Sequence, residues 1–150
     1  MRAVEKIIRG LILIAFFSLS LPIFSQKYWV AGEGNWSDVN HWSNTSGGLG
    51  GASLPTMKDD VIIDSNSGLN DGNSIIITSG AQAQNIDFTE NIVPIIIVGD
   101  SSFNFLVSGK IFFGNKVENK YQGKVFMTGT SSDFSLKIYN PGEFYGLQNF

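Results

Sequence analysis

Cysteine is absent from all 150 residues, and histidine occurs once, as His41. The first absence excludes a disulfide framework, a thiolate nucleophile and an N-terminal cysteine able to carry a lipid. Together they leave a zinc site dependent on mostly carboxylate ligands, an unusual set. A Ser-His-Asp arrangement would have to use His41, which lies between Asn40 and Trp42, and no Gly-x-Ser-x-Gly elbow occurs in the chain. Arginine is missing beyond Arg9, so a polysaccharide lyase would have to find its base among the lysines. Helix-favouring Ala, Leu, Glu and Arg are scarce, while Gly, Ser, Asn, Ile and Phe abound. That usage belongs to an all-β chain.

Long apolar runs are also lacking, with one exception at the start. Arg2, Lys6 and Arg9 face a single Glu5, and an apolar run then extends from Leu11 to Phe24. A basic region followed by an apolar one is the pattern of a secretory signal peptide. At about 14 residues the run falls short of the ~20 needed to span a bilayer. Residues 1–25 are therefore expected to be a signal peptide cleaved between Ser25 and Gln26, with Ser20 as a second junction. The product is expected to be secreted or at the cell surface, touching membrane only through the uncleaved signal. After cleavage seven lysines face twelve acidic side chains, a net charge of −5, which repels nucleic acid and anionic lipid.

Short apolar runs recur after the signal, separated by Gly, Asn, Ser or Asp. From Val61 onward they begin about every ten residues, the cadence of strands. Ile86 and Phe88 alternate with Asp87, and Phe134, Leu136 and Ile138 alternate with Ser135, Lys137 and Tyr139. Ile75–Ile77 and Ile95–Val98 are apolar throughout, which predicts cover on both faces. Two architectures satisfy the pattern, a β-sandwich and a right-handed parallel β-solenoid. Gly-centred corners at Gly80, Gly99-Asp100 and Gly109 are too short for Greek-key crossovers and favour the solenoid.

Residues 26–58 differ from the solenoid region expected over 59–150. They hold Trp29, Trp36, Trp42 and His41, then Gly47-Gly-Leu-Gly-Gly51. An open first coil needs its core and edges shielded, so a capping segment with the tryptophans as a plug is one reading. The other is a glycan-stacking surface formed by Trp29, Trp36 and Trp42. Asp64, Asn66 and Asp71 put oxygen ligands around a loop that suggests Ca²⁺, although Leu69 and Ile75 break the EF-hand pattern; no other cofactor is indicated. Asp59, Asp60 and Asp64 flank one strand, and Asp60 with Asp64 forms a carboxylate pair for glycoside chemistry, against the simpler reading of solvated strand ends.

Tyr28-Trp-Val-x-Gly-x-Gly-Asn-Trp-Ser-Asp-x-Asn-His-Trp-Ser43, followed by Pro55-Thr56 and Asp59-Asp-Val-Ile-Ile-Asp64, resembles the start of large secreted, solenoid-like adhesin or surface proteins of Bacteroidetes, the class associated with type IX secretion. Ile75-Ile-Ile-Thr-Ser-Gly-Ala81 and Lys124-Val-Phe-Met-Thr-Gly-Thr130 are similar to their repetitive bodies. The resemblance implies a non-enzymatic, structural or adhesive module with an extracellular glycan or surface partner. A glycan-binding module or partial β-helix carbohydrate-active enzyme is the alternative. No outward-sorting tag follows Glu143–Phe150, so the chain is expected to be a fragment, with residues 134–150 an uncapped coil that self-associates.

Overall fold

The computed structural model describes residues 25–128 and 136–138. Residues 1–24 of the expected signal peptide, 1–25, lie outside the described residues. So does the expected uncapped coil Phe134–Phe150, except for the backbone of Leu136–Ile138.

Thirteen short strands and a single 3-10 turn at Val39–His41 make up the described chain. They are β1 (Ser25–Trp29), β2 (Gly34–Asn35), β3 (Trp42–Ser43), β4 (Asp59–Ile62), β5 (Asn73–Ile77), β6 (Ala81–Ala83), β7 (Asn85–Asp87), β8 (Ile95–Gly99), β9 (Asn104–Val107), β10 (Ile111–Phe113), β11 (Val117–Tyr121), β12 (Lys124–Met127) and β13 (Leu136–Ile138). Every third strand returns to the same sheet. One sheet has the order β13-β10-β7-β4-β1-β3, a second β11-β8-β5-β2 and a third β12-β9-β6. All pairings are parallel except that of β1 with β3. This is a parallel, β-solenoid-like architecture, and the sandwich alternative, which needs antiparallel sheets face to face, is set aside.

In the first sheet the pairing repeats every 25 residues: Asp60 with Asn85, Ile86 with Ile111, and Ile111 with Leu136. The first coil is longer, because Ser25 pairs with Asp59; the aromatic segment is inserted there. β1 thus includes Ser25, one residue before the expected cleavage junction.

Strand parity decides what is inside. Val61, Ile86 and Ile111 stack inward in one column, and Ile63, Phe88 and Phe113 continue the next, with Phe88 and Phe113 parallel at 5.4 Å between centroids. Ile75, Ile77, Ile95 and Ile97 are buried, whereas Ile76, Ile96 and Val98 point outward and are only half-covered. The expectation that both faces of these two strands are covered is therefore corrected: the outer face is only half-covered.

The corners follow from side-chain chemistry. Asp64, Asp87 and Asp100 each accept the N–H of the residue two positions on, at 2.9, 2.8 and 2.7 Å, the Asx-turn that lets aspartate bend a chain without helix.

Candidate functional site

The aromatic entry segment closes one end of the coil. Trp29, Trp36 and Trp42 are 0%, 2% and 0% exposed. Trp42 stands edge-on to Trp29 at 5.1 Å and to Trp36 at 4.7 Å. Two of their indole N–H groups are also satisfied: Trp29 Nε1 donates to Gly32 O at 2.8 Å and Trp42 Nε1 to Trp36 O at 2.7 Å. The first coil has no strand in the third sheet, and Trp36 meets Phe105 edge-on at 4.8 Å, the position paired with Phe105 in the coil before it being the small Ala81. Small residues in the second coil thus make room for the plug. The glycan-stacking reading of these three residues is corrected on this geometry, since their ring faces are covered by protein.

His41 belongs to the same plug. Its ring stacks on Trp29 at 4.8 Å and 12°, and its Nδ1 lies 2.9 Å from Val30 O. It lies directly over Gly34, where any Cβ would overlap the imidazole; this close approach is what requires glycine in β2.

The acidic residues separate. Asp59 is buried and accepts from Thr56 N–H at 2.8 Å and from Thr56 Oγ1 at 2.6 Å. Burial pushes its carboxyl up, but the Thr56 bonds, the Ser25 hydroxyl and the Lys27 charge outweigh this and hold it below the ordinary value. Lys27, itself buried, donates to Asn44 Oδ1 at 2.7 Å, so this cluster fastens the cap to the first full coil. A carboxyl depressed in the folded state adds stability above the unfolded pKa and loses it as pH falls through the lower native pKa. Thermal melts should therefore fall as pH drops below about 4, and Asp59→Asn should flatten that acid limb; an identical limb in the variant would remove Asp59 as its source.

Asp64 and Asn66 come together, but at Ser46. Asp64 Oδ2 accepts from Ser46 Oγ at 2.6 Å, and Asn66 Nδ2 donates to the same hydroxyl at 3.0 Å. No described contact joins Asp71 to them, and among the described residues no group of three His, Cys, Asp or Glu side chains is placed to hold a metal. Asp60 does not share a site with Asp64, which lies in the turn after β4.

Asp60 instead faces outward from the first sheet into a groove of about 530 Å³. One outward column is Gln26, Asp60, Asn85 and Lys110; the next is Tyr28, Ile62, Asp87 and Phe112. Asn85 Nδ2 donates to Asp60 Oδ1 at 2.6 Å, and Asn85 Oδ1 accepts the backbone N–H of Lys110 at 2.7 Å. The amide therefore bridges three coils and is held in one orientation. Gly109 is obligatory beside it, because a Cβ there would strike Asn85 Oδ1. Sequence reading singled out Asp60 but missed the rest, and the 25-residue spacing of Asp60, Asn85 and Lys110 was the available signal.

Compared with protein-family models, with curated proteins and with solved structures, the chain matches none. Fold and site together define its class: an all-β repeat module with a parallel solenoid-like core and an aromatic N-terminal cluster.

Proposed function

We propose that the chain is an exported, non-enzymatic structural or adhesive module of a larger cell-surface protein, of the kind the Bacteroidetes resemblance implies. The observation that carries it is the repeating strand order, one coil after another on a common register. Such a stack makes a stiff, extendable rod whose outer faces are available for contact. The phrase around Trp29 to Trp42 then serves as the end plug of that rod. A right-handed wind follows from the rule for parallel crossovers. In this reading the basic and apolar segment before Gln26 supplies export.

An antibody raised against residues 26–150 tests the proposal on the cells that encode it. Surface labelling of intact cells, with loss of attachment on deletion of the gene, is the expected result. Recovery in the cytosolic fraction with residues 1–25 still attached would reject it. A second reading, a glycan-binding module, is favoured by one observation, the polar groove over Asp60 and Asn85.

A further inference from the structure

We infer that the groove on the outer face of the first sheet binds a linear, uncharged glycan running across the strands, along the axis of the coil. This rests on the adhesive reading and names its contact chemistry. The groove's volume, about 530 Å³, lies in the range of small-molecule sites. Its floor is a parallel sheet, so its side chains stand on rigid backbone rather than on a loop.

The chemistry of the lining selects the occupant. Carboxylates at Asp60 and Asp87, amides at Gln26, Gln84 and Asn85, and the ammonium of Lys110 are gathered on one surface. Sugar hydroxyls donate and accept, and so complement this mixture. Asp60 and Asn85 are already oriented by their 2.6 Å bond, and Lys110 N–H fixes the other side of Asn85 at 2.7 Å. Among the described residues no partner occupies Asp60 Oδ2 or Lys110 Nζ, so both remain for a ligand.

Aromatic rings bound the surface. Phe112 lines one end and is half-buried. Tyr28, just beyond the lining residues, lies in the same column at the other end, tied down by its hydroxyl, which donates to Gln26 Oε1 at 2.9 Å. Three strand steps separate them, ~14 Å at the spacing of neighbouring strands, room for a short oligosaccharide rather than a single ring. One strand step is close to the advance of one pyranose in an extended chain, so equivalent polar groups meet successive sugars. Two carboxylates against one ammonium disfavour a polyanion, and the polar floor disfavours an apolar peptide.

Native affinity electrophoresis of the mature chain in gels containing hydroxyethylcellulose, galactomannan or polygalacturonate tests this. Retardation by at least one of the two neutral polymers is expected, weakened at least tenfold by Phe112→Ser and by Asp60→Asn, two outward substitutions that leave the buried columns intact. Glu118→Gln, on the outer face of another sheet, should leave retardation unchanged. Retardation by polygalacturonate alone, by none of the three, or undiminished in both groove variants would overturn the inference. The same mixtures are assayed for reducing ends. Their release would sink the non-enzymatic reading while leaving the groove; absence of binding would sink the groove while leaving the structural reading.

Discussion

Trp42→Ala is expected to lower the stability of the folded chain by about 3–5 kcal/mol, a large part of the 5–15 kcal/mol typical of a native domain. Trp42 is fully buried and touches both other tryptophans edge-on. Its removal leaves a cavity at the end of the core, and Trp36 O loses the indole N–H that it accepts at 2.7 Å. The coil cannot collapse to fill the space, because Trp29 is pinned to Gly32 O by its own indole N–H. Urea denaturation followed by far-UV circular dichroism measures the loss. Leu49→Ala is the control, since Leu49 is 95% exposed and its truncation should cost less than about 0.5 kcal/mol. Equal midpoints for the two variants would show that the tryptophans do not plug the core.

Ile75→Ala is expected to cost about 2–5 kcal/mol, and Ile76→Ala, one residue on, about 1 kcal/mol. The two residues are chemically identical neighbours on β5, and only parity separates them. Ile75 is fully buried between Gly34 and Ile97, its partners on either side, whereas Ile76 faces out beside Val98. Ile97→Ala and Ile96→Ala should repeat the contrast on β8. Denaturation midpoints decide it, and a reversed order within either pair would mean that the strands are set one residue out of register.

Much of the architecture was legible because it rests on short-range chemistry. Gly80 and Gly109 mark corners in the sequence and in the fold, whereas Gly99 ends β8 and the chain turns at Asp100; Asp64, Asp87 and Asp100 each form a turn. Parity in the isoleucine runs was not legible, because Ile75-Ile-Ile77 has the same pattern whichever face is inside; the neighbouring coils choose. Alternation did reveal Ile86 and Phe88, since the intervening Asp87 breaks the symmetry.

The site was harder to see for a related reason. Asp60, Asn85 and Lys110 are each unremarkable as single outward residues, and only the 25-residue register gathers them. Gln26 joins at an interval of 34, because the capping segment lengthens the first coil. The tryptophans misled as ligands because sequence shows that rings are clustered but not which way they face. The contact of Trp36 with Phe105 depends on a coil far along the chain.

The parallel register is the central claim, and a chain without cysteine permits a direct test by paired cysteine substitution. In the second sheet Ile76 is the register partner of Val98, while Ile96 is the partner of Ser74. Partners on adjacent strands lie ~4.8 Å apart, within the span a disulfide bridges, whereas the diagonal from Ile76 to Ile96 exceeds the ~7 Å limit. Under mild oxidation the folded Ile76→Cys/Val98→Cys variant should close an intramolecular disulfide, read as a mobility shift and a mass loss of two hydrogen atoms, and Ile76→Cys/Ile96→Cys should stay reduced. Closure of the diagonal pair, or failure of the register pair to close, would contradict the stacked parallel coil.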